Sequence, residues 1–149
     1  MMTANTPLPD NNQDIILTQW KTCVEMANAT SQRRDAMNNI FITLNLAIAA
    51  TVSFVWDLKS LFVLAAGIVV CVLWRIFIRN FRLLNAAKFD VINELEDRLP
   101  AKPFQDEWEE LQKTKKYVAG SLLEVILPNT FICLYAVAIV VILVMKLAQ

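Results

Sequence analysis

The sequence predicts an all-α integral membrane protein with three transmembrane helices per subunit, long helical cytoplasmic extensions and homo-oligomeric assembly. Three observations carry that expectation. Apolar residues make up 56% of the 149 positions and the mean hydropathy is +0.45, above the range of soluble domains. They concentrate in three runs, residues 40–56, 60–78 and 125–147, each near the roughly 20 residues that a helix needs to cross a bilayer. Glycine occurs only twice, so few tight turns are available and long helices with short joints are expected. A soluble alternative, in which the three runs are core helices, fails because so short a chain has too little other material to cover them.

Residues 1–12 are polar, carry Pro7 and Pro9, and lack the apolar stretch of a signal peptide. They read as a flexible tail, and the first span is expected to act as its own insertion signal. Residues 13–35 read as a cytoplasmic amphipathic helix, because Ile16, Trp20, Cys23 or Val24, and Ala27 recur at three- and four-residue spacing. This helix runs directly into the first span at 36–56, and a short turn over Asp57–Lys59 leads to the second at 60–78. Trp56 and Trp74 stand at opposite ends of that hairpin, where interfacial tryptophans belong.

Residues 79–120 form the second cytoplasmic segment. The helix of the second span is expected to continue through it, with Phe77, Phe81, Leu84, Val91, Leu95 and Leu99 on one face, until Pro100 and Pro103 stop it. An elbow at 99–104 then turns the chain into a short helix from about Gln105 to Tyr117. Its acidic start and basic end suit the helix dipole, and Glu109 stands four residues before Lys113. Gly120 is expected to end it, and Ser121 to Glu124 has the spacing of a capping box before the third span at 124–147.

The charge distribution orients the chain. Lys21, Arg33 and Arg34 precede the first span, and Arg75, Arg79, Arg82, Lys88, Arg98, Lys102, Lys113, Lys115 and Lys116 lie between the end of the second and the start of the third. Only Lys59 and Lys146 fall on the other side. The positive-inside rule then places the N-terminus in the cytoplasm and the C-terminus on the periplasmic or outer side.

Catalytic chemistry finds little footing. Histidine is absent, removing the commonest general base and zinc ligand. The cysteines Cys23, Cys71 and Cys133 have no CxxC spacing, and two glycines cannot build a phosphate-binding loop. The carboxylates at Asp90, Glu94, Glu96 and Asp97, and those from Asp106 to Glu110, read as solvated helix faces rather than a cation site. No catalytic, metal or cofactor-binding residue is assigned. A net charge of zero, from 14 basic and 14 acidic residues, argues against nucleic acid as a partner.

Polar residues inside the spans say more. On the first span Asn38, Phe41, Asn45, Ala49 and Val52 lie along one line, and Thr43, Ala47, Ala50 and Thr51 lie broadly opposite. The small residues suit close packing on Ala66, Gly67 and Cys71 of the second span. The asparagine line then faces either another subunit or a water-filled passage, since an amide in hydrocarbon must find a hydrogen bond. Arg75 stands near the cytoplasmic edge of the second span, either snorkelling to the headgroups or pairing with a polar group of a neighbouring subunit. With Arg79 and Arg82 it makes a basic run suited to anionic lipid.

Two segments resemble a known family. Residues 33–45, RRDAMNNIFITLN, are similar to the N-terminal signature of the RipA-family octameric membrane proteins, with Arg33, Arg34, Asn38, Phe41 and Asn45 at the matching positions. Residues 81–108, FRLLNAAKFDVINELEDRLPAKPFQDEW, resemble the second and more specific signature through Asn85, Lys88, Phe89, Glu94, Leu99, Pro100, Pro103, Phe104 and Trp108. Trp20 and Cys23 stand where that pattern has tyrosines, and Asn28 where it has an acid. The resemblance implies a multi-pass protein of the bacterial inner membrane that assembles with itself as an octamer. It implies no established reaction, substrate or cofactor. Two functions are therefore weighed: a structural scaffold whose cytoplasmic helical collar recruits partners, and a pore or channel passing ions or small solutes along the central axis. Phe104 and Trp108, four residues apart, are expected to dock on the long helices, on an adjacent subunit or on an outside partner.

Overall fold

A computed structural model of the chain describes residues 10–54, 57–113 and 120–148, with side chains from 12–54, 57–113 and 124–148. It is all-α. Helix α1 spans Asp10–Phe54, α2 Ser60–Glu96, α3 Pro103–Lys113 and α4 Gly120–Leu147. Three of these, α1, α2 and α4, are long and apolar enough to cross a membrane. Only 17%, 28% and 11% of their most apolar stretches is buried within the chain. Apolar helices so bare belong against lipid or other copies of the chain, because water would not tolerate them.

The chain divides into two compact units. The larger comprises residues 32–82 and 118–149. Its core is built by Val52 of α1, Leu64 and Cys71 of α2, and Tyr135 and Ile142 of α4. A second cluster gathers Phe41, Trp74 and Ile78, with Met37, Val70, Val125 and Phe131 around them. The turn between α1 and α2 is closed by Asp57, whose carboxylate accepts the backbone N–H groups of Lys59 at 2.9 Å and Ser60 at 3.1 Å. Asp57 thereby caps α2, satisfying donors that a helix start leaves open. Gly67 lets Tyr135 approach: a Cβ there would stand 2.7 Å from the Tyr135 ring. Gly67→Ala is therefore expected to displace a buried ring and lower the thermal stability of the purified protein, by about 1–3 kcal/mol as overpacking does. An unshifted melting curve would show that Tyr135 yields freely.

The smaller unit comprises residues 1–31 and 83–117. Here Ile16 and Ala27 of α1 are buried with Ile92 of α2. The buried stripe of α2 differs from the expected one. Ile92 and Glu96 are buried, with Asn85, Lys88 and Phe89 half-buried beside them, whereas Leu84 and Val91 are exposed. The helix carries apolar residues on more than one side, and the side that turns inward is the one whose carboxylate can receive α3.

Helix α2 ends at Glu96, and residues 97–100 form the turn and bend before α3. Gly120, expected to close the helix before it, is instead the first residue of α4 and has no left-handed backbone. Pro128 lies inside α4 and is buried. The expectations for Trp56, for Lys115 and Lys116, and for the Ser121 side chain fall outside the described residues. Lys113 pairs with Glu110 at 3.4 Å rather than with Glu109, on an exposed face where such a pair contributes little.

Candidate functional site

The larger unit holds its polar groups in a buried cluster. Asn45 is fully buried. Its amide Nδ2 donates to the backbone oxygen of Phe41 at 2.8 Å. Its Oδ1 accepts from the Cys71 thiol at 3.0 Å and from the Tyr135 hydroxyl at 2.9 Å, the hydroxyl also lying 3.0 Å from the Asn45 backbone oxygen. One asparagine thus ties α1 to both α2 and α4. Two turns earlier Asn38 accepts from the Trp74 indole at 2.8 Å. Between them Phe41 stacks on Trp74, the rings 5.6 Å apart and 7° from parallel.

This arrangement overturns the expected facing of the first span. The line of Asn38, Phe41, Asn45 and Val52 packs inward on α2 and α4, toward neither a subunit boundary nor a passage. Thr43, Ala47, Ala50 and Thr51, expected to meet α2, lie outward. The reason is hydrogen-bond capacity. Thr43 and Thr51 satisfy their hydroxyls on the carbonyls one turn back, at 2.9 and 2.8 Å, and can face lipid at little cost. An asparagine amide has more donors and acceptors than its own helix can serve, so it drives its face toward partners.

Farther along the unit, Arg34 Nε stands 3.3 Å from Glu124 of α4 and 3.6 Å from Asp35. Arg33 is exposed. Arg75, Arg79 and Arg82 are exposed along α2 and line a cleft that Val125 of α4 closes.

In the smaller unit the elbow is organised by Glu96. This carboxylate is fully buried and accepts the backbone N–H groups of Phe104 at 3.1 Å and Gln105 at 3.3 Å, so it caps the start of α3. Its negative charge lies at the positive end of that helix. The expectation of a solvated face thus fails for Glu96 and fits the exposed Asp90 and Glu94. The Gln105 side chain donates to Asn93 O at 3.3 Å and to Asp97 Oδ1 at 3.1 Å, and Asp97 also pairs with Lys102. Phe104 sits between Trp20 of α1 and Phe89 of α2, 5.7 Å from each ring. Trp108, one turn further along α3, is 54% exposed, so the elbow covers Phe104 more than Trp108. Pro100 and Pro103 are exposed and shape the backbone. Asn85 Oδ1 and Trp20 Nε1 are buried without a hydrogen-bond partner among the described residues.

Lys102, first, and Gln105 hold the Asp97 carboxyl below its ordinary range by hydrogen bonding to its charged form. A carboxylate whose folded value is lowered stabilises the fold above its unfolded value near 4, and that contribution disappears as pH falls through the folded value. Acidification below about pH 4 is therefore expected to loosen the elbow, and Asp97→Asn to flatten the dependence. Melting curves of the two proteins between pH 3 and pH 7 read the difference, and parallel curves would remove Asp97 from the account. The effect is small, because the pair is exposed and screened by salt.

Sequence reasoning placed Asn38, Phe41, Asn45, Phe89 and Phe104 among the candidates but missed Glu96, Cys71 and Tyr135 as their partners. The signal available for Glu96 was its place at the last helical position before a proline elbow, where a buried acid can reach the next helix start. Among the described residues no group of three His, Cys, Asp or Glu gathers closely enough to hold a metal ion.

Three apolar helices clasped by buried side-chain hydrogen bonds define a multi-span α-helical membrane protein. Within that class the chain belongs to the octameric membrane protein family, whose model matches residues 17–144. The resemblance carried by the two motifs thus stands at the level of that family. No curated protein and no solved structure matches the chain.

Proposed function

We propose that this chain is a non-catalytic scaffold of the bacterial inner membrane, assembled as an octamer, with its N-terminus and residues 79–120 in the cytoplasm and its C-terminus outside. The observation that carries the reading is the inward turn of Asn45. The amide that would most naturally have wetted a passage is occupied by Cys71 and Tyr135 of its own subunit. Twelve of the fourteen basic residues favour the orientation. The outward residues of α1, such as Leu44 and Leu46, offer apolar surface to lipid and to other copies.

Planar-bilayer recording on the purified, mass-verified oligomer tests the reading. The expected result is an oligomer of eight 16.9 kDa chains that passes no unitary current at two salt concentrations and two pH values. Reproducible currents would overturn the scaffold and favour the pore, and the exposed Asn39 and Thr43 would then be the first positions to alter.

A further inference from the structure

Helix α2 carries Arg75, Arg79 and Arg82 at spacings of four and three residues, which puts them on one face. All three are exposed, and none forms an ion pair among the described residues. Glu124, the neighbour of Val125 in sequence, pairs through Oε1 with Arg34 at 3.3 Å. The three arginines thus line the cleft with no ion pair to a described carboxylate. The cleft encloses about 380 Å³ and is completed by Val72, Ile76 and Ile78 of α2 and Val125 of α4. That is within the size of ordinary ligand clefts, ~300–1,000 Å³.

Depth identifies the kind of ligand. Arg75 lies about 22 Å along α2 from Ser60, and Arg82 about 33 Å, at 1.5 Å per residue. A hydrocarbon core is roughly 30 Å thick, so the three arginines straddle the level where acyl chains give way to phosphates. The apolar side chains Val72 and Ile76 lie on the acyl side of Arg79, and Arg82 lies on the headgroup side. A guanidinium fork matches two phosphate oxygens at once. We propose that this cleft is a binding site for one anionic phospholipid, its phosphodiester held by Arg75, Arg79 and Arg82 and an acyl chain laid along Val72 and Ile76. A zwitterionic lipid would bring an ammonium group toward three uncompensated cations and is disfavoured. Free phosphate supplies the same oxygens but leaves the apolar wall unused. The proposal rests on the membrane placement of α2 and is indifferent to the choice between scaffold and pore.

Native mass spectrometry of the full-length oligomer in detergent, with added phosphatidylglycerol, phosphatidylcholine or inorganic phosphate, tests it. Phosphatidylglycerol is expected to be retained and to raise the melting temperature, with phosphatidylcholine doing neither at the same mole fraction. Arg79→Gln alone is expected to weaken retention about tenfold, corresponding to ~1.4 kcal/mol, and Arg33→Gln, outside the cleft, to leave it unchanged. Replacing all three by lysine keeps the charge and loses the fork, and is expected to retain the lipid more weakly than the native chain. Equal retention of the two lipids, or full retention by Arg79→Gln, would overturn the site. Displacement of the lipid by millimolar inorganic phosphate would mark a free-anion site instead. Loss of the oligomer in Arg79→Gln, with lipid making no difference, would give the arginines to the subunit interface.

Discussion

Replacing Glu96 with alanine unfastens the elbow and lowers the stability of its unit by about 2–4 kcal/mol, the sum expected for a lost helix cap and two stranded backbone donors. The carboxylate is fully buried, and it alone reaches the N–H groups of both Phe104 and Gln105. With it gone, nothing in the isolated elbow replaces those acceptors, and the start of α3 must open to find water. Amide exchange at residues 104–106 reads this directly, and is expected to accelerate while exchange around Asn45 stays as it was. Glu96→Gln keeps one acceptor oxygen and the shape, so it should cost about half as much. Exchange in the elbow that ignored both substitutions would mean that the packing of Phe104 on Trp20 and Phe89 is sufficient by itself. A stable oligomer with an opened elbow would separate membrane assembly from whatever residues 79–120 do.

The second large effect is expected at Trp74. Its ring is 1% exposed, stacks on Phe41, meets Phe131 at 6.5 Å and donates its indole N–H to Asn38. Trp74→Ala removes this joint of three helices and leaves a cavity, for a loss of about 3–5 kcal/mol. Trp74→Phe preserves the stack and strands only the Asn38 oxygen, for a loss of about 1 kcal/mol, as single hydrogen bonds between membrane helices contribute. Unfolding of the detergent-solubilised protein, followed by tryptophan-independent circular dichroism, ranks the two. If alanine were no worse than phenylalanine, the aromatic stack would not be what holds α1, α2 and α4 together at that level.

Much of the architecture was legible in one dimension. Three apolar runs near bilayer length, a polar start and a basic bias of twelve against two are properties of composition and order, and α1, α2 and α4 follow the runs. The elbow was visible too, because two prolines three positions apart, Pro100 and Pro103, disfavour an uninterrupted helix through residues 99–104. The site residues were legible only as types. Asn38, Asn45 and Phe104 stood out because an amide in hydrocarbon or an aromatic after a proline turn requires an explanation.

Tertiary structure alone decided which way those residues face. Periodicity shows that Asn38, Phe41 and Asn45 share a side of α1, but three apolar helices can be rotated about their axes at little cost in buried area. The choice was made by partners more than 25 positions away: Cys71, Trp74 and Tyr135 supply the donors that a single helix cannot. The inward stripe of α2 in the smaller unit was settled the same way. Leu84 and Val91 are apolar yet stay exposed while Ile92 and the acidic residue Glu96 turn inward, because that face caps α3 at Phe104. Length and hydropathy are sums over the chain and survive without coordinates. The facing of a helix depends on hydrogen-bond partners distant in sequence, and it is defined only once those partners are packed against it.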